Sequence, residues 1–292
     1  MKAYVLGADG QLGHELCGAL GCFADVIRAT EADFDMTDLP TLRDRIRSAH
    51  PDVIVNAAAY TDVDGAERNP ALCRAVNTDA VRVIGEECTA NGIGLVHYST
   101  DFVFDGAKGQ PYLETDEPSP LNEYGRSKLE GERELARLEA PAIVLRTAWV
   151  YSLRRKSFVS SILRLARERP ELRIVSDQVG NPTFCRDLAI CSALVLFAMR
   201  TDPLGALRNA RGVYHLAGSG WTDRCSFASR ILALDPRKDQ HVTRAVVPIR
   251  SDDYPLPARR PTHAPLDCSK FQTTFGAMLP PWEEALERAL NS

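Results

Sequence analysis

In "NEYGRSK" a tyrosine, Tyr124, stands four residues ahead of a lysine, Lys128. In a helix these positions share one face, about one turn apart. A phenol with an unperturbed pKa of about 10 is a poor proton donor or base near neutrality, but a nearby ammonium and an oxidised nicotinamide ring both favour phenolate. Tyr/Lys pairs also decorate ordinary solvated helices, so a third element is required. "HYSTDFVFDG" (97–106) supplies one: an apolar segment ends at Ser99, Thr100 and Asp101, where the Thr100 hydroxyl could orient a substrate oxygen toward Tyr124. Ser99 reads equally well as a strand-end cap. Together the three suit carbonyl reduction. A nicotinamide gives hydride to carbon, Tyr124 gives the proton to oxygen, Thr100 holds that oxygen, and Lys128 tunes the phenol and bonds the nicotinamide ribose.

A dinucleotide needs a cradle, and "GADGQLG" places Gly7, Gly10 and Gly13 between the first strand-like segment and the first helix-like one. Gly7 permits a sharp turn, Gly10 lets backbone N–H groups approach a pyrophosphate, and Gly13 allows close helix packing. Glycines also merely punctuate tight turns, so the context carries the reading. At the end of the second strand, in "IRATEAD", Thr30 occupies the position where an NAD-preferring site supplies an acid to the ribose. Arg28 and Glu31 flank it, which tips the balance slightly toward NADPH; Arg28 reads equally as a solvated strand-end residue. "FDMTD" (34–38) falls where the adenine would lie, and the small residues of "NAAAYT" (56–61) let a dinucleotide approach the backbone or simply pack beneath a helix.

The elements that must position these residues alternate regularly. Strands are predicted at 3–7, 25–29, 52–59, 93–100 and 142–151. Helices are predicted from about Gln11, over 39–49, from about Ala71 to Asn91, and from Tyr124 to Glu139. Continuously apolar strands imply a sheet covered on both faces, so the fold class is α/β, a Rossmann-type doubly wound parallel sheet. Residues 1–150 form the dinucleotide-binding domain that carries Thr100, Tyr124 and Lys128. Beyond about residue 151 prolines multiply and the rhythm loosens; 151–292 is expected to be mainly a smaller substrate-binding region, with some segments returning to the sheet.

Composition narrows the partners. A formal charge of −4 argues against nucleic acid, no apolar run approaches a membrane span, and no leader precedes the first strand, so a cytoplasmic protein is expected. The eight cysteines and six histidines form no CxxC, HExxH or HxH grouping, so no metal site and no redox motif are expected.

On these motifs, and on "DQVGNPT" (177–183) and "YPLPARRPTHAPLD" (254–267), the chain resembles the extended short-chain dehydrogenase/reductases and, within them, the dTDP-4-dehydrorhamnose reductase family. The resemblance implies NAD(P)H-dependent reduction of the C4 ketone of a dTDP-4-keto-6-deoxy sugar, dTDP-4-dehydro-β-L-rhamnose, with Thr100, Tyr124 and Lys128 as the catalytic trio. It implies that Gly10, Gln11, Leu12, Asp35, Met36, Ala59, Tyr60 and Thr61 line the coenzyme, and that Thr100, Asp101 and Trp149 touch the sugar nucleotide. Trp149 reads otherwise as a core aromatic. Arg259 and Arg260 in "PARRP" are candidates for the diphosphate, Arg260 above all, or else surface ion-pair partners. Some relatives form a homodimer bridged by Mg2+ through glutamates; here Glu15 matches one, but Arg186 stands where another would be, which speaks against a metal bridge.

Three rivals remain. Dehydratases of this fold need Thr-Asp-Glu, whereas Phe102 holds the glutamate position and cannot transfer a proton. Another 4-ketoreductase or an epimerase would share the Tyr/Lys pair. A regulatory partner of methionine adenosyltransferase also looks like this family without acting as a reductase.

Overall fold

A computed structural model describes residues 1–291. Five strands, β1 (Lys2–Leu6), β2 (Asp25–Ala29), β3 (Val53–Asn56), β4 (Gly94–Thr100) and β5 (Ala142–Thr147), join a sixth, Gly212–His215, in one sheet. Every pairing is parallel, in the spatial order β2, β1, β3, β4, β5, Gly212–His215. The chain passes from β1 outward to β2 and then across to β3, so the strand order reverses at β1 and opens a crevice above its carboxyl end.

Alternation along the strands explains the two-sided burial. Ala3 and Val5 of β1, Val53 and Val55 of β3, and Val96 and Tyr98 of β4 enter one core with Leu16 and Leu20 of α1 (Gln11–Leu20) and Leu188 of the Cys185–Met199 helix. Tyr4, Leu6, Ile54 and Leu95 enter the other, against Leu42 and Ile46 of α2 (Leu39–Ala49) and Ile84 of the Ala80–Asn91 helix. α2 starts at Asp38, whose carboxylate accepts the Thr41 N–H at 3.2 Å, with Pro40 in its first turn.

Three predicted elements end differently. β3 stops at Asn56 because that side chain turns back to accept the Ala58 N–H at 3.2 Å. The single helix predicted from Ala71 to Asn91 is Pro70–Arg74, a π-helical turn at Ala75–Asp79, then Ala80–Asn91. β5 stops at Thr147; Trp149 takes a left-handed φ of 44°, and Val150–Tyr151 leaves the main sheet to pair with Thr183–Phe184.

The second half builds its own core from Tyr151, Phe184, Phe227 and Trp282, against which Trp149 and Phe158 pack. This part also supplies the sixth strand and the Cys185–Met199 helix, so it is interleaved with the sheet.

Candidate active site

The carboxyl ends of β1, β3, β4 and β5 meet at the crevice. Gly7 adopts φ 74°, a left-handed turn that a side chain would strain, and a Cβ on Gly13 would lie 2.0 Å from the Gly7 carbonyl oxygen. α1 begins at Gly10 without a side-chain cap, so its first N–H groups face the crevice available to an anion. Gln11 accepts from Ser152 at 2.9 Å through its amide oxygen, and Leu12 packs on the core. Ala59 and Tyr60 are half-buried and Thr61 is exposed. The Tyr60 backbone is clasped at both ends by Asn77, which accepts its N–H at 3.0 Å and donates to its carbonyl at 3.1 Å.

At the ribose end Thr30 donates through both its backbone N–H, at 2.7 Å, and its hydroxyl, at 2.8 Å, to Asp33. An acid therefore stands at this strand end, supplied three residues after the expected position. Asp35 closes its own turn by accepting the Thr37 N–H and hydroxyl at 2.8 Å, and Met36 packs on the core.

The chemical groups converge at the end of β4. Thr100 Oγ1 donates to Asp101 Oδ1 at 3.0 Å and accepts the Phe102 N–H at 3.2 Å, forming the 3-10 turn at Asp101–Val103. The Glu123–Arg137 helix starts at Asn122, which accepts the Gly125 N–H at 2.8 Å and donates to the Arg259 carbonyl at 2.7 Å. Tyr124 thus lies in a first turn pinned to "PARRP". Its ring meets Phe102 edge-on, centroids 5.6 Å apart. Burial drives the phenol well above its ordinary pKa, assisted by Asp101 and Cys73, while the Thr100 hydroxyl works the other way. Lys128, fully buried, donates from Nζ to the Tyr98 carbonyl at 2.6 Å and lies 3.3 Å from His97 Nε2. Burial lowers its pKa to about 8, against Glu132 and Cys73. Ser99 donates to Glu132, itself in a buried ion pair with Arg146 at 2.6 Å, which ties β4 to the helix.

Burial raises Asp101 to about 7, against the Thr100 hydrogen bond and the charge of Arg224. Trp149 stands nearby on its left-handed backbone, its indole so close to Gly180 that a Cβ there would lie 2.6 Å away. Arg260 reaches the same region through its charge on Arg224, but its fork holds Asp64 with two bonds of 2.7 Å. Arg259 contributes its backbone carbonyl.

Arg224 belongs to none of the sequence motifs. It opens the Arg224–Leu234 helix, its guanidinium lies 3.5 Å from the Trp149 ring centroid and 4.9 Å from that of Phe158, and among the described residues its side chain has no hydrogen-bond partner. Burial works against its charge and Asp101 works for it. Thr147 was missed too. It is the register partner of Thr100, and its Oγ1 is buried without a partner among the described residues. Free N–H groups at α1, small residues after β3 and this hydroxyl fit a dinucleotide laid across the crevice. A divalent metal does not fit at Glu15. Arg186 Nε donates to its carboxylate at 3.1 Å, placing a cation where a second acidic ligand would stand, and no three metal-ligating side chains gather among the described residues.

A family model described as the RmlD substrate binding domain matches residues 1–292. The chain is 42% identical over 290 residues to a dTDP-4-dehydrorhamnose reductase of Burkholderia thailandensis, covering 98% of this chain and 97% of that protein. It is 36% identical over 303 residues to the enzyme of that name from Escherichia coli K12, covering 100% and 97%. A dTDP-4-dehydrorhamnose reductase from Clostridium acetobutylicum superposes with a TM-score of 0.89 at 31% identity, covering 100% of this chain and 99% of that one. One from Bacillus anthracis, solved in complex with NADP, superposes with a TM-score of 0.88 at 29% identity and the same coverage. Full-length similarity at this level, on a sheet with this glycine turn and this Thr/Tyr/Lys arrangement, makes the chain a member of the RmlD family, the dTDP-4-dehydrorhamnose reductases.

Proposed function

We propose that this chain reduces the C4 ketone of dTDP-4-dehydro-β-L-rhamnose to give dTDP-β-L-rhamnose, with NAD(P)H as reductant. The observation that carries the reading is the meeting of Thr100 and Tyr124 at the carboxyl end of β4, beside the glycine turn of β1. The coenzyme, when bound, supplies the hydride. Gly7, Gly10, Gln11, Leu12 and Gly13 hold its pyrophosphate, Thr30, Asp35 and Met36 its adenosine end, and Ala59, Tyr60 and Thr61 its middle; Lys128 bonds the nicotinamide ribose. Tyr124 gives its proton to the ketone oxygen, and the Thr100 hydroxyl keeps that oxygen in line. A phenol whose pKa burial raises stays protonated across the neutral range, as a donor must. Phe102, packed on the phenol, has no carboxyl for dehydration, and the intact trio favours an enzyme over a regulatory subunit.

Asp101 and Trp149 face the sugar, the indole covering its C–H groups. Arg224 and Arg260 present two guanidiniums to the sugar nucleotide, Arg224 with its fork open and Arg260 with its fork on Asp64. Residues 151–292 set substrate choice. Asp33, tied to Thr30, opposes a 2′-phosphate and so weakens the case for NADPH over NADH made from Thr30 and Arg28. We place the enzyme in the cytoplasm, where its charged coenzyme and sugar nucleotide are retained, and assign it a homodimer through the Cys185–Met199 helix.

The test is incubation with the 3,5-epimerised 4-keto sugar nucleotide and each coenzyme, with NMR of the product at C4. Stoichiometric coenzyme oxidation and the L-rhamno product are expected. No oxidation, or a product epimeric at C4, would overturn the assignment.

A further inference from the structure

Behind Lys128 runs a buried chain of hydrogen bonds whose direction can be read link by link. The Ala58 N–H donates to Asn56 Oδ1 at 3.2 Å, which leaves the amide nitrogen facing His97. Asn56 Nδ2 lies 3.1 Å from His97 Nδ1, so Nδ1 is an acceptor and a neutral imidazole carries its proton on Nε2. Reversing the amide would set its N–H against the Ala58 N–H. His97 Nε2 in turn lies 3.3 Å from Lys128 Nζ, which also donates to the Tyr98 carbonyl at 2.6 Å. Every link is satisfied when Nζ is an amine, accepting from His97 and donating to Tyr98. With an ammonium, two N–H groups confront each other. His97 is fully buried and burial, followed by Lys128, holds its pKa well below the ordinary value, so it stays a neutral imidazole with one proton, and the Asn56 amide keeps that proton on Nε2.

The other groups around Nζ do not remove this conflict. Glu132, one turn along the same helix, has its carboxylate engaged by Arg146 and Ser99. Cys73, from the Pro70–Arg74 helix, is a buried thiol bonded to Ser127, with a pKa raised by burial. Tyr124, one turn earlier, is a buried neutral phenol.

We propose that His97, its tautomer fixed by Asn56, is a positioning residue that makes Lys128 lose its proton readily in the free enzyme, so that coenzyme binding draws one proton onto the Lys128 amine. This rests on the proposed contact between Lys128 and the coenzyme ribose. There the ribose hydroxyl offers an acceptor and the pyrophosphate a negative field, both of which favour the ammonium. The affinity of Lys128 for its proton then rises on binding, so uptake occurs at pH values between its free and bound pKa. The free value of about 8 sets the lower edge of that window.

The experiment is calorimetric titration of NADPH into the full-length enzyme, without sugar, in two buffers of different ionisation enthalpy. At about pH 8.5 a coenzyme 2′-phosphate, with a pKa of about 6, no longer titrates. Uptake of about three-quarters of a proton is expected there, and at about pH 6, where Lys128 is already charged, no more than Lys128→Met shows from the titrating 2′-phosphate itself. His97→Gln, whose amide can accept from Asn56 and donate to Nζ, should keep the uptake; His97→Leu should lose most of it, as should Lys128→Met. Circular dichroism of each variant reports its fold, and the wild-type measurement stands whether or not His97→Leu folds. Binding without proton uptake, or uptake that survives Lys128→Met, overturns the proposal and leaves the reductase reading intact. Failure of sugar reduction with uptake present does the reverse, and absence of coenzyme binding overturns both.

Discussion

Tyr124 owes its chemistry to its neighbours. Phe102 closes over the ring, burial, Asp101 and Cys73 disfavour the phenolate, and the Thr100 hydroxyl favours it. Replacement of Tyr124 by Phe should lower kcat by about 10²- to 10⁴-fold, the range for a positioned general acid, while coenzyme affinity and the thermal midpoint stay near wild type. Stopped-flow absorbance of the nicotinamide would measure this, and undiminished turnover would remove Tyr124 from the donor role. Arg224 is a second residue whose task follows from its surroundings. A guanidinium stacked on Trp149 with an unused fork is prepared for anionic or hydroxyl oxygens. Arg224→Met, which keeps the stacking volume, should raise the KM for the sugar nucleotide by about 10- to 100-fold, the loss of a charged hydrogen bond, without altering coenzyme binding. Equal KM values would assign the arginine to packing alone.

At the scale of elements, the π-helical turn at Ala75–Asp79 decides how the coenzyme loop and the Glu123–Arg137 helix are joined. The extra residue in the turn swings Asn77 inward, where it bonds the Tyr60 backbone twice and Ser127 once, at 3.1 Å. Thr78 from the same turn donates to the Ser127 carbonyl at 2.9 Å. Asn77→Ala leaves two half-buried backbone groups of Tyr60 unpaired and should cost about 1–2 kcal/mol in denaturant unfolding, with a raised KM for coenzyme and a nearly unchanged kcat. A kcat loss without a change in KM would contradict the loop-clamp role. The apolar pattern from Ala71 to Asn91 reads as one helix because a π turn adds a single residue and leaves the hydrophobic stripe almost intact.

Across the whole molecule, the exposed side of the Cys185–Met199 helix is conspicuously apolar. Ile190, Leu194 and Phe197 follow a helical stripe and are 45%, 58% and 42% exposed, an arrangement that supports a contact between two copies. If the proposed dimer forms through this stripe, Leu194→Asp should shift it toward monomer, with the dissociation constant rising by tenfold or more, roughly 1.4 kcal/mol or more. Light scattering over a concentration series would detect it; a monomer in the wild type would dismiss the assignment. At its first turn the same helix carries Arg186, whose ion pair with Glu15 serves within one chain.

Local pattern alone was enough for the parallel α/β sheet, the Gly7–Gly13 turn and the helix carrying Tyr124 and Lys128, because strand burial, glycine spacing and helical periodicity are properties of neighbouring residues. The break at Asn56 is a local turn onto Ala58 that the run of small apolar residues hides, and the break at Trp149 depends on a segment from elsewhere, Thr183–Phe184. Arg224 looks like any solvated residue at a helix start until the second half folds it over Trp149. Asp33 replaces the missing acid only because the chain turns back on Thr30. Directional hydrogen bonds and burial act between residues far apart along the chain. Tertiary structure therefore decided which charges stand unpaired and which way a proton bond points, including the one from His97 to Lys128.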